Sequence, residues 1–338
     1  MKSVDEQFMQ RALELARKAE GMTRPNPPVG AVLVKDGQLV AEAYHERAGQ
    51  DHAERACLKK VPAGIDLSDA TLYVTLEPCS THGRTPPCTD IVREKGVGRV
   101  VISVVDLNPD HAGRGLKILE DAGVEVVTGV CEAEGRRLIA PFEKFITTGM
   151  PYVTLKLAST LDGKIADRNG DSKWITGPEA REVVQQMRRA ADAVVVGAGT
   201  VRADDPSLLP RPAEGREPWR VVVGKNIPAD AKVLTDEAAE RTLVCDGPLE
   251  EILKELAARN VMHVLCEGGG QLAAALIDQD LVDEYAFFVA PKIIGPDGRP
   301  NVGGEGRLMA DLKDLRFTSV EQLGNDVLMR AINLEKGE

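Results

Sequence analysis

The segment TLYVTLEPCSTHGRTPPCTDIVREKGVGRVVISV, residues 71–104, decides the fold of the first half of this chain. Its two ends are apolar and rich in β-branched residues, which predicts strands over 71–76 and 99–104, with a helix over 90–95 between them. A strand, a helix and a second strand in this order are typical of a layered α/β sheet. Cys79 and Cys88 lie in the loop beyond the first strand, where open α/β sheets bind their ligands.

Three short motifs bring metal-binding side chains to this loop: His52-Ala53-Glu54, Glu77-Pro78-Cys79 and Pro87-Cys88. One imidazole and two thiols are three protein ligands, and a catalytic zinc has three protein ligands and an open position for water. A structural zinc would need a fourth ligand. We therefore predict that His52, Cys79 and Cys88 bind zinc, and that Glu54 moves protons to and from the metal-bound water.

The order of these motifs is that of zinc-dependent nucleobase deaminases, although eight residues separate the two cysteines here and two do so in that pattern. Each motif alone is more often structural than metal-binding, and their joint presence favours the metal site. Positions two apart on a helix point about 200° apart, so we expect His52 at the very start of its helix. His82, inside the cysteine loop, is the one rival ligand, and its position favours a substrate contact or solvation.

Length and composition predict two domains and no general affinity for nucleic acid. The chain has 338 residues, of which 43% are hydrophobic, and its net charge is −11. An anionic ligand must therefore be held by local arginines and backbone N–H groups. No stretch approaches 18 uncharged apolar residues and the first residues are acidic, so we expect no membrane segment and a cytoplasmic location.

The six cysteines do not form a disulfide framework over this length. Besides the two predicted ligands, the other four are predicted to be reduced core residues: Cys57, Cys131, Cys245 and Cys266.

The predicted elements divide near residues 147–151. The first half begins with a helix from Val4, capped by Ser3 and Glu6, and contains a hairpin around Asp36-Gly37. The second half alternates strands with helices, including a helix over 178–189 that has proline in its first turn. We predict domains 1–147 and 151–338.

Further motifs resemble the bifunctional riboflavin-biosynthesis deaminase/reductase family, collinearly over nearly the whole chain. In the first half the resemblance lies in residues 25–30 (PNPPVG), 75–88, 106–109 (DLNP) and 112–115 (AGRG). In the second half it lies in residues 156–164 (KLASTLDGK), 172–176 (SKWIT), 197–201 (GAGTV), 203–206 (ADDP) and 267–270 (EGGG). Leu107 stands where many relatives have proline, and the segment 212–250 is short.

This resemblance implies a cytidine-deaminase-like α/β/α domain followed by a dihydrofolate-reductase-like α/β domain. It implies two consecutive reactions: zinc-dependent hydrolytic deamination of 2,5-diamino-6-(5-phosphoribosylamino)pyrimidin-4-one, then NADPH-dependent reduction of the ribosyl group of 5-amino-6-(5-phosphoribosylamino)uracil to ribityl. The expected partner is thus a small phosphorylated pyrimidine, and we also expect a homo-oligomer.

The family analogy also implies which residues contact the ligands. The first site would hold the pyrimidine or phosphate through Asn26, His45, Arg84, Asp106 and Asn108. In the second site NADPH would contact Ala158, Trp174, Thr200, Asp204, Gly268, Gly269 and Gly270. The second substrate would contact Ser172, Arg188, Leu208, Arg211 and Glu267.

The residues themselves support part of this assignment in the second half. No G-x-G-x-x-G motif indicates a Rossmann site, but residues 267–270 lead from a predicted strand into a helix, where exposed N–H groups can bind a pyrophosphate. Arg188 and Arg211 can supply forked donors to a phosphate, or can be a solvated helix charge and a loop charge. Trp174 fits a core position equally well. The sequence identifies no proton donor for the reduction, and neither Asp204 nor Glu267 is assigned that role.

Two other functions stay open at this point. One is a nucleoside, nucleotide or tRNA deaminase with an accessory nucleotide-binding domain, against which the long cysteine loop and the acidic charge argue. The other is a nucleotide-sensing module without catalytic activity, for which three zinc ligands and a spare carboxylate are a poor fit.

Overall fold

A computed structural model describes residues 2–82, 86–108, 112–212 and 216–334 of the chain. The chain divides into two compact units, Met1–Gly149 and Met150–Glu338. The division follows the end of a long helix, which continues to Thr148 and stops at Gly149 in the left-handed conformation (φ 71°). No helix in the described ranges is both long and apolar enough to span a bilayer.

A five-stranded sheet forms the centre of the first unit. Its strands are β1 (Gly30–Lys35), β2 (Gln38–Tyr44), β3 (Thr71–Leu76), β4 (Arg99–Val104) and β5 (Glu125–Val127), in the order β2-β1-β3-β4-β5. β1 is antiparallel to both of its neighbours, and β3, β4 and β5 are parallel. Asp36 and Gly37 both have positive φ angles, 50° and 73°, in the tight turn of the predicted hairpin.

Five helices cover the two faces of this sheet: α1 (Val4–Arg17), α2 (Ala53–Lys59), α3 (Cys88–Glu94), α4 (Arg114–Asp121) and α5 (Glu132–Thr148). The predicted capping box is present, since Ser3 and Glu6 bond to each other's backbone N–H. Alternate residues of the strands face opposite layers, so that Leu72 packs with α2 and α3 and Tyr73 packs with α1 and α5. The unit is therefore an α/β/α sandwich.

The second unit contains an eight-stranded sheet in the order β10-β9-β8-β11-β6-β12-β15-β14. Its strands are β6 (Tyr152–Thr160), β8 (Ala193–Gly197), β9 (Trp219–Val223), β10 (Thr242–Cys245), β11 (His263–Cys266), β12 (Glu284–Ala290), β14 (Leu315–Leu323) and β15 (Asp326–Asn333). The six strands from β10 to β12 are parallel, and β15 and β14 continue the sheet antiparallel. A separate two-stranded ribbon pairs β7 (Lys164–Ala166) with β13 (Arg299–Pro300).

The helices of this unit are α6 (Pro178–Ala190), α7 (Ala198–Asp204), α8 (Lys232–Thr235), α9 (Leu249–Ala258) and α10 (Gly270–Asp278), with 3-10 turns at Ala239–Arg241 and Met309–Asp311. α6 begins with proline, as predicted. α9 and α10 pack on one face of the sheet, and α6 and α7 pack on the other. The ribbon of β7 and β13 was not predicted, since two or three residues carry no periodic signal.

The cysteines outside the predicted metal site are all free thiols. Cys57 and Cys266 are buried in the cores, as predicted. Cys131 and Cys245 are not core residues as predicted, because both are only partly buried and pack against the outside of these cores. Sγ of Cys131 lies against α1 and accepts from the Gln10 amide at 3.4 Å.

Candidate active sites

His52, Cys79 and Cys88 come together in the first unit, and their ligand atoms lie within 4.8 Å of one another. Nδ1 of His52 is 3.5 Å from Sγ of Cys79 and 3.5 Å from Sγ of Cys88. With Zn–S near 2.3 Å and Zn–N near 2.0 Å, the S···N edge of a tetrahedral site is about 3.5 Å. These three side chains therefore have the spacing of zinc ligands around one ion.

The local backbone explains how His52 and Glu54 face the same point. His52 is the residue before α2 and has an extended conformation (φ −66°, ψ 161°), whereas Glu54 lies in the first turn of the helix. The 200° separation of two helical positions thus does not apply, because only Glu54 is on the helix.

Both thiols lie beyond the end of β3, but one prediction about them was wrong. We expected Cys88 in a loop before a helix that begins at Asp90, and α3 instead begins at Cys88 itself, after Pro87. The N–H of Cys88 donates to Sγ of Cys79 at 3.3 Å. Since a helix leaves its first N–H groups without intrahelical partners, this bond both satisfies the helix start and stabilises a thiolate.

The electrostatics of the cluster favour a cation. The hydrogen bond with Cys88, together with His52, lowers the pKa of Cys79 to about 4, and the same Cys79 contact and burial raise the pKa of Cys88. Burial, followed by the charge of Cys79, raises the pKa of Glu54 to about 7. Without a cation, the negative charge of Cys79 thus keeps Cys88 and Glu54 protonated to higher pH. A divalent cation bound at this cluster would allow all three groups to ionise.

A cavity of about 170 Å³ opens onto this cluster. Of the described residues that were predicted for the first site, all but Cys88 line this cavity: Asn26, His45, His52, Glu54, Cys79, Asp106 and Asn108. Cys88 is fully buried. Arg84, also predicted for this site, lies outside the described residues, as does Pro109 of the DLNP motif.

His45 connects the cavity wall to Asn26. Its Nδ1 is 3.0 Å from the carbonyl oxygen of Asp51, which can only accept, so Nδ1 carries the proton. Nε2 then accepts from the amide nitrogen of Asn26 at 3.0 Å. Burial lowers the pKa of His45, in keeping with a neutral ring. The ring also meets that of His52 edge-on, with the centroids 5.2 Å apart.

Glu77 is a site residue that sequence reasoning quoted only as part of a motif. Its buried carboxylate accepts from three backbone N–H groups, those of Asp106 (3.2 Å), Gly113 (3.0 Å) and Gly115 (2.9 Å). One side chain at the end of β3 thereby holds both ends of the segment that carries Asp106 and Asn108. The available signal was an acid directly after an apolar strand, where burial demands hydrogen bonds.

In the second unit a cleft of about 540 Å³ lies at the carboxyl ends of the parallel strands. Many of the residues predicted for the second site line it: Ala158, Ser172, Thr200, Asp204, Glu267, Gly268, Gly269 and Gly270. The glycine-rich segments 197–200 and 267–270 both lead straight from a strand into a helix, α7 and α10 respectively. The sequence predicted such a helix only after residues 267–270.

Gly270 shows why glycine is needed here. A Cβ atom at this position would lie 2.7 Å from the carbonyl oxygen of Pro300, and the N–H of Gly303 donates to the Gly270 carbonyl at 2.9 Å. The start of α10 is therefore packed directly against another backbone segment of the cleft wall.

The other four predicted residues lie outside the cleft lining. Trp174 is 66% exposed beneath the guanidinium of Arg181, so the alternative of a core position was wrong. Leu208 has a positive φ of 62° and its side chain packs in an apolar cluster, so that only its backbone is available to a ligand. Arg211 is exposed, with its N–H bonded to Gln185.

Arg188, the fourth, is not a solvated helix charge. Its guanidinium meets the buried carboxylate of Glu267 through two hydrogen bonds, and Nζ of Lys156 lies 3.7 Å from the same carboxylate. Burial, together with Arg188, lowers the pKa of Lys156 despite the nearby Glu267. Burial alone would raise the pKa of Glu267, but Arg188 and Lys156 outweigh it and lower that pKa. Lys156, which also lines the cleft, was not assigned a role from the sequence.

Comparisons with known proteins assign both units. The family described as "RibD C-terminal domain" matches residues 151–329, and the "Cytidine and deoxycytidylate deaminase zinc-binding region" matches residues 2–104. The riboflavin biosynthesis protein RibD of Aquifex aeolicus is 42% identical over 97% of this chain and 98% of its own length. The riboflavin biosynthesis protein RibD of Escherichia coli is 38% identical over 97% of this chain and 99% of its own length.

Solved structures agree. A diaminohydroxyphosphoribosylaminopyrimidine deaminase/5-amino-6-(5-phosphoribosylamino)uracil reductase from Thermotoga maritima is 39% identical, with a TM-score of 0.88 over 98% of this chain and 99% of that one. Acinetobacter baumannii RibD is 38% identical, with a TM-score of 0.87 over 98% and 99%. These matches confirm the predicted fold class of a cytidine-deaminase-like unit followed by a dihydrofolate-reductase-like unit.

Proposed function

The chain belongs to the family of bifunctional riboflavin-biosynthesis deaminases and reductases, and from that premise we propose how its own residues divide the two reactions. Its activities are a zinc-dependent deamination and an NADPH-dependent reduction, as predicted. This membership decides against both alternatives, the nucleoside or tRNA deaminase and the module that only binds nucleotides. We assign the deaminase to residues 1–147 and the reductase to residues 151–338.

The proposed first substrate is 2,5-diamino-6-(5-phosphoribosylamino)pyrimidin-4-one, whose amino group is replaced by a carbonyl oxygen with release of ammonia. His52, Cys79 and Cys88 would hold a zinc ion, and the bound ion would supply an activated water for attack on the amino-bearing ring carbon. Glu54 would accept a proton from the attacking water and pass protons to the ring nitrogen and the leaving ammonia. Its buried position and raised pKa suit a group that both takes and gives a proton near neutral pH.

The remaining residues of the first cavity hold the substrate. Asn26 is oriented by His45, and Asp106 and Asn108 are held by the loop that Glu77 anchors. We propose that five side chains bind the pyrimidine ring and the ribosyl phosphate: Asn26, His45, Arg84, Asp106 and Asn108. The four of them that the structure describes line one cavity next to Glu54, which supports this assignment.

In the second unit NADPH supplies the hydride that reduces the ribosyl group of 5-amino-6-(5-phosphoribosylamino)uracil to ribityl. We assign cofactor binding to Ala158, Thr200, Asp204, Trp174 and the loop 268–270. Because α10 begins at Gly270, its free N–H groups face the cleft and suit a phosphate group.

The proton that accompanies the hydride has a source in this cleft. Lys156 and Glu267 are the ionisable pair at its floor, 3.7 Å apart, and the lowered pKa of Lys156 makes its ammonium a better acid. We assign the proton to this pair, with Ser172, Leu208 and Arg211 as further substrate contacts. Arg188 then acts by holding Glu267, because its fork is already engaged.

The observation that carries the proposal is the spacing of His52, Cys79 and Cys88 beside a buried glutamate in one cavity. The test incubates purified protein with the diaminopyrimidine substrate, with and without NADPH. We expect ammonia release in both samples, NADPH oxidation in the second, and about one zinc per chain. Absence of ammonia release, or zinc far below one ion per chain in active protein, contradicts the proposal.

We further propose that the protein works in the cytoplasm as a homo-oligomer and binds neither nucleic acid nor membranes. The net charge of −11 opposes contact with phosphate backbones. β14 is the last strand of its sheet, and its Phe317 and Val320 are 65% and 63% exposed, which supports a contact between subunits. Light scattering would test this: a monomer at micromolar concentration contradicts it.

A further inference from the structure

Arg299 is a cation in the reductase cleft that the proposed function does not use. It lies on β13 and lines both the main cleft and an adjoining cavity of about 590 Å³. Within the ranges that the structure describes, its guanidinium has no ion pair and no hydrogen bond. Its Nη2 would lie 2.7 Å from a Cβ atom at Gly170, so the guanidinium sits directly against the backbone of the opposite loop.

The other two cations of the adjoining cavity are already engaged. Nζ of Lys173 donates to the Asp204 carbonyl oxygen at 3.3 Å and lies 3.8 Å from Oδ1 of the same residue. Arg202 donates to the carbonyl oxygens of Lys225 and Asn226 at 3.0 and 3.2 Å. Asp171 and Asp204 also line this cavity, but neither forms an ion pair with Arg299. In a chain whose net charge is −11, an accessible guanidinium without an ion pair to a described residue is a place in the cleft where an anion can bind.

The backbone fixes Arg299 beside the glycine-rich start of α10. Arg299 pairs with Ala166 of β7, and two residues on, the N–H of Asn301 donates to the carbonyl of Gly163 at 2.9 Å. The next residues lie against Gly270, with the Gly303 N–H bonded to its carbonyl. Both ends of this short backbone segment are thus tied down, and Arg299 lines the same cleft as Gly269 and Gly270 at the start of α10.

We propose that Arg299 binds a phosphate group of NADPH in the reductase cleft. The inference rests on the proposed function of the second unit, since it takes this cleft as the cofactor site. Guanidinium and phosphate form parallel, charge-assisted hydrogen bonds, which a backbone N–H cradle alone cannot supply. The phosphate is either the pyrophosphate, common to NADPH and NADH, or the 2′-phosphate that only NADPH carries.

The test is a direct binding titration, by calorimetry, of NADPH and of NADH to the full-length protein, with Arg299→Ala and Arg299→Lys beside it. Arg17→Ala, an exposed arginine of the other unit, removes the same charge and is the control. We expect Arg299→Ala to raise the Kd of NADPH about tenfold and Arg299→Lys to raise it less, because lysine keeps the charge and loses the fork. Arg17→Ala should leave it unchanged.

The two cofactors identify the phosphate. If Arg299→Ala weakens the binding of NADPH and of NADH equally, Arg299 contacts the pyrophosphate. If it weakens the binding of NADPH alone, Arg299 contacts the 2′-phosphate. If Arg299→Ala binds both cofactors as the wild type does, the inference is overturned while the cofactor site stands. If the wild-type protein itself binds no NADPH, the proposed function of the second unit fails instead.

Discussion

The guanidinium of Arg188 on α6 forks onto the carboxylate of Glu267 at the end of β11, with Nε–Oε1 at 2.6 Å and Nη2–Oε2 at 3.0 Å. Both side chains are largely buried, and Lys156 adds a second cation at 3.7 Å from Glu267. The sequence left Arg188 as a phosphate ligand or a surface charge. The structure makes it the partner that keeps an acid ionised on the floor of the reductase cleft.

Removal of this acid should therefore destabilise the fold. In Glu267→Gln the buried Arg188 loses its counter-charge, and we expect the free energy of unfolding to fall by about 3 kcal/mol. Urea unfolding followed by circular dichroism measures this. Glu255→Gln breaks an exposed pair with Arg259 on α9 and should cost less than about 0.5 kcal/mol. Equal effects of the two variants would contradict the buried pair's role.

Lys156→Met should separate the two activities. It removes the proposed proton source but leaves Arg188 paired with Glu267, so the second unit should stay folded. We expect NADPH oxidation on the deaminated substrate to slow by about 100-fold, while ammonia release is unchanged. Lys254→Met, on the exposed face of α9, is the control. A Lys156→Met enzyme with wild-type reductase kcat would remove lysine from the chemistry.

Glu54→Gln should abolish the other half of the reaction. The amide cannot carry protons, so deamination should fall by at least about 100-fold while the zinc content stays at the wild-type level. Reduction of the deaminated substrate should be unaffected, because Glu54 lines the cavity of the first unit. Loss of both activities in a folded variant would contradict two separate sites.

Zinc binding should release a proton from Glu54. In the metal-free protein its pKa is about 7, so the group is about half protonated at pH 7. A bound cation favours the charged carboxylate and lowers that pKa, and the proton is released. Calorimetric zinc titrations in two buffers of different ionisation heat should show about half a proton more for wild type than for Glu54→Gln at pH 7.

The difference in released protons between wild type and Glu54→Gln should depend on pH. It should grow toward one proton near pH 5.5 and vanish near pH 9, where Glu54 is already ionised before zinc binds. A difference that does not depend on pH would mean that Glu54 does not titrate near neutrality.

Glu77→Gln should weaken substrate binding in the first site. A carboxamide has one acceptor oxygen, so it cannot hold the N–H groups of Asp106, Gly113 and Gly115 together. We expect the KM for deamination to rise about tenfold, with zinc content and NADPH oxidation unchanged. Glu94→Gln, an exposed residue at the end of α3, is the matched control. An unchanged KM would show that the segment needs no such anchor.

Much of the metal site could be predicted because its signals are local. His52 and Glu54 are two residues apart, and the cysteines follow a strand whose apolar pattern is unmistakable. The start of α3 was missed by two residues, since the bond from the Cys88 N–H to Cys79 is a tertiary contact that extends the helix. Likewise α7 was missed, because two glycines within residues 197–199 resemble a turn more than a helix.

By itself, the amino-acid sequence determined the chemical groups that this protein can use: an imidazole and two thiols in the order of a zinc site, a spare carboxylate, glycine-rich segments after strands, and the order of two α/β units. Only the tertiary structure decided which charges are free and which are engaged. Arg188 is bound to Glu267, Glu77 is bound to three backbone N–H groups, and Arg299 has no such partner among the described residues. The physical reason is that a side chain's charge follows from its residue type, whereas its counter-charge and its burial come from distant segments: Glu267 lies 79 residues from Arg188 along the chain.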